Sequence, residues 1–112
     1  MSARVLRGGA FTADRAWGST VVATFGDIEA SVHWTDAGYP WHANDGDELF
    51  VVLAGTVDMH WRQPGGPADV ATLGPGDVWS GVAGIEHRAV PRGEARVLVM
   101  ETPFADTLVD AG

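Results

Sequence analysis

The sequence contains no cysteine and no lysine. The absence of cysteine excludes disulfide bonds, thiolate catalysis and sulfur-ligated zinc or iron–sulfur sites. The absence of lysine excludes Schiff-base and lysine-nucleophile chemistry. Long apolar runs are also missing: the longest is Leu49–Ala54, far below the ~20 residues that span a bilayer. The first ten residues contain no apolar run typical of a signal peptide, so the sequence favours a cytoplasmic protein.

Positive charge is scarce. Seven arginines oppose fifteen aspartates and glutamates, which gives a formal net charge of −8. A field of this sign repels phosphate backbones and anionic lipid surfaces, so we expect no nucleic acid and no membrane as partners. The length of 112 residues suffices for one modest core, and we expect a single domain over 1–112.

Glycine and proline recur every eight to twelve residues, and the segments between them alternate or run apolar over short lengths. Short strands separated by turns at this spacing are typical of an all-β sandwich or barrel. We expect both faces of the apolar Leu49–Leu53 segment to be covered, as in a strand under a second sheet. Pro103–Asp110 is compatible with a short helix or an edge strand. The predicted strands are Ser19–Phe25, Glu29–Trp34, Glu48–Ala54, Thr56–Arg62, Ala68–Leu73, Asp77–Val82, His87–Val90 and Ala95–Glu101.

A few polar residues interrupt this apolar pattern. His42 and Asn44 are two positions apart, so on a strand their side chains leave the same face. Glu48 begins the strand that continues as LFVVL, where a buried carboxylate is costly unless a cation compensates it. His87 follows a glycine-bounded turn in the second half of the chain. These residues are candidates for a shared site.

The two segments resemble the sequence motifs of the cupins. In the first motif, His42 and Glu48 match, Asn44 replaces the second histidine, and Gly55 closes the motif. The second motif falls on Gly76, Val82, Gly84, His87 and Pro91, where Val82 replaces a proline and Pro91 an asparagine. The resemblance extends from Glu29 to Thr102. It implies a double-stranded β-helix, the jelly-roll cupin barrel, over about residues 19–102 with short extensions at both ends.

The resemblance also implies one divalent metal ion, whether Fe, Mn, Ni or Zn. Its ligands would be His42, Glu48 and His87, with Asn44 at the fourth position. Two imidazoles and a carboxylate on one side of a metal form the facial arrangement of non-haem iron sites, which leaves positions open for other molecules. An amide oxygen is a weaker ligand than imidazole, and Asn44 is equally compatible with a turn-forming role.

Several other side chains have expected positions. Phe50 shares strand parity with Glu48, and Trp79 precedes His87, so both are predicted to form pocket walls. His33 and His60 are expected to face solvent beside apolar neighbours. Glu101 ends the last predicted strand, where it is either a solvent-facing side chain or an acid close to the metal ligands.

Two functions follow from this interpretation. The first is a metal-dependent enzyme, oxygenase-like or isomerase-like, acting on a small oxygenated molecule. The second is a non-catalytic cupin that binds or senses a small molecule with weak or no metal binding. The resemblance further implies a homodimer, which would cover exposed apolar surface.

Overall fold

In the computed structural model, which describes residues 2–103 and 106–110, the chain forms ten β-strands and one 3-10 turn. No α-helix occurs within these ranges. The described residues therefore include no helix that is long and apolar enough to cross a membrane. In chain order, after the 3-10 turn Gly8–Ala10, the strands are β1 (Gly18–Phe25), β2 (Ile28–Thr35), β3 (His42–Asn44), β4 (Glu48–Ala54), β5 (Val57–Arg62), β6 (Asp69–Leu73), β7 (Val78–Gly81), β8 (Glu86–Pro91), β9 (Ala95–Glu101) and β10 (Asp106–Leu108).

The strands form two five-stranded antiparallel sheets. The first sheet, called here sheet I, has the order β1-β2-β9-β4-β7, and the second, sheet II, has the order β10-β3-β8-β5-β6. Neighbouring strands are therefore often distant in sequence, as in a jelly roll. This topology places β3 and β8 side by side in sheet II and leaves β4 in sheet I.

The hydrophobic core lies between the two sheets. Along β4 and β9 every second residue is buried, as expected for strands with one face on a core. Val52 and Val97 from sheet I and Met59 from sheet II are fully buried. The core cluster draws on both sheets and consists of Phe50, Val52, Val57, Met59, Leu73, Trp79, Ala89, Ala95, Val97 and Val99.

The outer face of sheet I is covered by the N-terminal segment. A side chain at Gly8 would meet Leu53 and Val32, and the Arg96 guanidinium donates a hydrogen bond from Nε to the Phe11 carbonyl at 2.9 Å. Val32 and Ala30 are both buried on this outer face. The inner face of Leu49–Leu53 therefore lies under sheet II, as the sequence predicts, and on the outer face the 3-10 turn lies against Leu53.

All eight predicted strands are present, and no end is shifted by more than one residue. Two further strands are short. β3 holds His42 and Asn44, and β10 resolves the ambiguity over Pro103–Asp110 in favour of an edge strand. Positions 1, 104, 105, 111 and 112 of the expected domain lie outside the described residues.

Gly55 is required by close packing. Its φ of +84° lies in the left-handed region, and a Cβ there would lie 2.4 Å from the carbonyl oxygen of Glu94. Only glycine avoids both the strain and the clash. The tight corner allows β4 to pass directly into β5, from sheet I to sheet II.

Candidate metal centre

His42 and His87 lie opposite each other on neighbouring strands. The β3–β8 register pairs the two residues directly, and their ring centroids are 4.1 Å apart. Both are buried, with 8% and 3% of their surface exposed. Two imidazoles that are far apart in sequence are therefore brought together by one antiparallel pair.

Glu48 joins them from the other sheet. It is the first residue of β4 and is 7% exposed, and its Oε1 lies 3.1 Å from His87 Nε2. One potential ligand atom from each of His42, Glu48 and His87 can be chosen so that all lie within 4.8 Å of one another. Three buried ligand atoms within this distance can face a single ion, and the group could hold a metal.

The imidazole orientations suit such an ion. His42 Nδ1 lies 3.0 Å from the Pro40 carbonyl oxygen, and His87 Nδ1 lies 3.1 Å from the Ile85 carbonyl oxygen. Donation from Nδ1 to a backbone carbonyl fixes the ring and leaves Nε2 to bind metal, the usual arrangement of metal-binding histidines. The donor set, two Nε2 atoms and one carboxylate, therefore fits a first-row divalent ion.

Burial and proximity shift the pKa values of these groups. Burial, with the neighbouring His87, lowers the pKa of His42 below its ordinary value. Burial alone would raise the pKa of Glu48, but hydrogen bonding and charge interaction with His87 outweigh it and lower the pKa. Both shifts favour the unprotonated forms that a metal ion requires.

Asn44 lies beside this group and bridges two carboxyls. Its Nδ2 donates hydrogen bonds of 2.7 Å to Oε1 of Glu48 and 2.7 Å to Oε2 of Glu101. These donors orient the amide, and Oδ1 is buried without a hydrogen-bond partner among the described residues. A buried acceptor without a partner is the kind of atom that an ion or water satisfies.

Glu101, at the end of β9, points inward and not to solvent. It is hydrogen-bonded to Glu48, and burial together with the Glu48 charge raises its pKa to about 8. Of the two positions that the sequence allowed for Glu101, the structure therefore shows the one close to the candidate ligands.

A cavity of about 220 Å³ opens onto the histidine and glutamate side chains. Phe50 forms part of its wall. Trp79 is not among the residues that line it: its ring packs against His87, with centroids 4.7 Å apart, and belongs to the core. The lining residues are Trp17, His33, Tyr39, His42, Glu48, Phe50, Met59, His87, Ala89, Val99, Glu101 and Asp106.

His33 lines this cavity, so the expectation that it faces solvent is wrong. Burial lowers its pKa, and Nδ1 is buried without a hydrogen-bond partner in the described part of the chain. His60 lies on β5, next to the Trp41 ring at a centroid distance of 6.4 Å, and is not a lining residue of the cavity.

Tyr39 and Asp106 were not anticipated from the sequence. Tyr39 Oη donates a 2.8 Å hydrogen bond to Asp106 Oδ2, and its ring packs edge-on against His42 at 4.7 Å. Burial and the Asp106 carboxylate raise the pKa of Tyr39 to about 12, so the phenol keeps its proton. Tyr39 lies in a loop and Asp106 on a three-residue edge strand, where no periodic signal existed.

Comparison with protein-family models gives no match, and neither does comparison with curated proteins. Solved structures do match. A cupin-2 domain protein from Shewanella frigidimarina is 24% identical with a TM-score of 0.69, and the alignment covers 80% of this chain and 83% of that one. A cupin superfamily protein from Desulfitobacterium hafniense is 19% identical with a TM-score of 0.70, covering 98% and 94%.

A third similar structure is hydroquinone 1,2-dioxygenase from Sphingomonas sp. TTNP3 with 4-hydroxybenzoate bound. It is 25% identical with a TM-score of 0.72, and the alignment covers 80% of this chain but only 28% of the dioxygenase chain. The likeness to these structures, together with the two five-stranded sheets, shows that this chain has the fold of a small cupin domain.

Proposed function

We propose that this chain binds one divalent metal ion through His42, Glu48 and His87 and acts as a metal-dependent enzyme, oxygenase-like or isomerase-like, on a small oxygenated molecule. The observation that carries the proposal is the set of three buried ligand atoms within 4.8 Å of one another. A carboxylate this deeply buried needs a compensating partner, and a metal ion held by the two neighbouring imidazoles would supply the positive charge.

The chemistry that Fe, Mn, Ni or Zn supplies at this position is Lewis-acid polarisation of an oxygen atom, and for Fe, Mn or Ni also redox chemistry. The protein residues prepare the site for it. The Pro40 and Ile85 carbonyls hold the two rings by their Nδ1 protons, and Asn44 holds the Glu48 carboxylate. We propose Asn44 Oδ1 as the fourth ligand atom, because the two carboxyls fix the amide by its nitrogen.

The cavity residues would orient the substrate. Trp17, Tyr39 and Phe50 provide aromatic walls, which suit a small ring. The Tyr39 phenol, held by Asp106, is fixed beside His42. The similar dioxygenase carries a small oxygenated aromatic compound, which supports a substrate of this size and class.

The alternative is a binding or sensor domain without turnover. Asn44 favours it, since an amide replaces an imidazole and its nitrogen is already engaged by two carboxyls. Oxygen consumption and product analysis with a panel of sugars, phenols and keto acids separate the two. Metal binding without consumption of any compound would favour the sensor.

Metal titration of chelator-treated protein tests the site itself. Calorimetry with Fe²⁺, Mn²⁺, Ni²⁺ and Zn²⁺ should give one ion per chain. Loss of a hydrogen-bond partner of a metal ligand typically weakens metal binding about 10–100-fold. Loss of a ligand itself should weaken metal binding at least as much, and this is tested by His42→Ala, Glu48→Gln and His87→Ala. His60→Ala, outside the cavity, is the matched control and should bind as wild type does. Equal binding by all five proteins would refute the proposed site.

We also propose that the chain forms a homodimer in the cytoplasm. Val70 on β6, with Val78 and Val82 at and after β7, expose 58%, 55% and 66% of their surface. Exposed apolar residues on edge strands favour self-association. Light scattering at several protein concentrations should give twice the monomer mass, and a monomer at all concentrations would exclude the dimer.

A further inference from the structure

The short N-terminal extension contributes one side chain to the cavity. Trp17 directly precedes β1, the edge strand of sheet I, and lines the cavity together with residues of the barrel. Its indole ring contacts His33 at a centroid distance of 6.1 Å and Tyr39 at 5.5 Å. Neither neighbour is a candidate metal ligand, so Trp17 belongs to the part of the cavity that would contact a bound molecule rather than the ion.

The backbone of Trp17 has a conformation that tryptophan rarely adopts. Its φ is +61°, and it is the only residue other than glycine with a positive φ in the described part of the chain. Trp17 occupies the third position of a turn in which the Gly18 amide donates a hydrogen bond of 3.1 Å to the Arg15 carbonyl. Glycine or asparagine ordinarily meets a positive φ at that position, because a bulkier residue is strained there.

The turn contains a glycine, but one position later. A Cβ at Gly18 would lie 2.4 Å from the Cβ of Ala13, so residue 18 is restricted to glycine, while Trp17 carries the strain. The indole Nε1 is also buried without a hydrogen-bond partner within the described ranges, which costs further free energy. Part of the ring packs against the hydrophobic core and part lines the cavity. Backbone strain that is retained at a ligand cavity is typical of a functional position.

Trp17 and Tyr39 form a corner that suits a flat aromatic ring. Their ring planes are 86° apart, close to a right angle. A planar ring seated in such a corner can present its face to one wall and its edge to the other, and both arrangements are favourable for aromatic pairs. A saturated ring of the same size fills the space but lacks the π-system that these contacts require.

We infer that Trp17 determines specificity, and that through it the N-terminal extension makes the cavity prefer an aromatic ring to a saturated ring of the same size. This inference rests on the proposed function for the location of the ligand cavity and adds the class of ring that the cavity accepts. Trp17 itself lies outside Glu29–Thr102, the segment that resembles the cupins.

Two alcohols that differ only in the ring test the preference: benzyl alcohol, whose ring is aromatic, and cyclohexylmethanol, whose ring is saturated. NMR titration of metal-free protein gives both dissociation constants, and their ratio is compared between variants. Trp17→Leu keeps an apolar side chain without a π-system and should shift the ratio at least about threefold toward cyclohexylmethanol. Trp17→Phe keeps an aromatic ring and should retain the wild-type ratio.

Trp41→Leu is the matched control. The Trp41 ring lies beside His60 and the Arg62 guanidinium and does not line the cavity, so this variant should keep the wild-type ratio. An unchanged ratio in Trp17→Leu, an equal shift in Trp17→Phe or Trp41→Leu, or no binding of benzyl alcohol by the wild-type protein would overturn the inference. If Trp17→Leu does not fold, Trp17→Gly replaces it, because glycine removes the ring and tolerates the positive φ.

A comparison of Trp17→Ala with Trp17→Gly tests the strain. Both variants lack the indole, and they differ by one methyl group at a backbone position with a φ of +61°. Alanine in that conformation should make the unfolding equilibrium constant several-fold larger than glycine does, and urea denaturation measures both constants. Equal constants, or the opposite order, would show that residue 17 is not held in the left-handed region, and the inference would fail.

Zn²⁺ titration of the same preparations separates this inference from the proposed metal centre. Trp17→Leu should still bind one ion per chain, because the Trp17 ring contacts His33 and Tyr39, which are not candidate ligands. An unchanged ratio of dissociation constants in a Trp17→Leu protein that binds Zn²⁺ refutes only the inference. Absence of Zn²⁺ binding in a wild-type protein whose ratio depends on Trp17 refutes only the metal centre.

Discussion

Asn44 donates one amide proton to Glu48 and the other to Glu101, each across 2.7 Å. A single neutral side chain thereby connects the carboxylate of the candidate metal centre to Glu101, a second acid that lines the cavity. This arrangement accounts for an asparagine at a position where the cupin motif has histidine.

Asn44→Asp should destabilise the metal-free protein. The substitution replaces the amide donor by a carboxylate, so the hydrogen bond to the Glu48 carboxylate becomes a repulsive contact and the hydrogen bond donated to Glu101 is lost. Loss of buried hydrogen-bond partners costs about 1–3 kcal/mol. Urea denaturation at pH 7 measures the free energy of unfolding. A variant as stable as wild type would show that the amide does not bridge the two acids.

Glu101→Gln should change how stability depends on pH in metal-free protein. Because the folded-state pKa of Glu101 is about 8 and its ordinary value is 4.5, the folded protein holds this proton more tightly than the unfolded chain. The stabilisation from Glu101 is complete below pH 4.5 and is lost as pH rises through about 8.

Glutamine cannot ionise, so the stability of Glu101→Gln relative to wild type should rise between pH 4.5 and about 8 and then level off. Glu94→Gln, which removes an acid from an exposed position, is the matched control, and the effect specific to Glu101 is the difference between the two variants. A constant difference between Glu101→Gln and wild type over this range would contradict the raised pKa.

His33→Gln should reduce the loss of stability in acid. The pKa of His33 is lowered from 6.5 by burial, so below pH 6.5 the unfolded chain gains a proton that the folded protein resists. The stability that His33 contributes is present above pH 6.5 and is lost as the pH falls through the lowered pKa of the folded state. Thermal unfolding of metal-free protein between pH 7 and pH 5 measures the difference. An unchanged acid slope in the variant would indicate an exposed, freely titrating ring.

Gly55→Ala should destabilise the fold more than Gly65→Ala does. Both residues have left-handed φ values, +84° and +77°, which cost about 1–2 kcal/mol for other residues. At Gly65 a Cβ meets nothing within 4 Å, whereas at Gly55 it lies 2.4 Å from the Glu94 carbonyl. Equal losses of unfolding free energy in the two variants would show that the corner relaxes without cost.

Much of the fold was predictable because alternation and turn residues are local signals. Every predicted strand exists, and the motif spacing selected His42, Glu48 and His87, which the structure brings together. The sequence pattern alone could not show that these three side chains meet, because their meeting depends on β3 pairing with β8 and on β4 belonging to the opposite sheet.

His33 shows why the remaining site residues were missed. The sequence placed His33 on the solvent side of its strand, opposite its apolar neighbour Trp34. In fact Ala30 and Val32, on the same face of β2 as Trp34, are buried on the outer face of sheet I, where Gly8 lies close to Val32, and the opposite face of β2 carries His33 to the cavity. Alternation identifies the two faces of a strand but not what covers each one.

The most direct test of the metal centre is anomalous X-ray scattering from crystals grown with Zn²⁺ or Mn²⁺, recorded above and below the metal absorption edge. We predict one peak bonded to Nε2 of His42, Nε2 of His87 and a carboxylate oxygen of Glu48. A metal-saturated crystal without a peak among these three side chains, or with its ion bound elsewhere, would contradict the proposed centre.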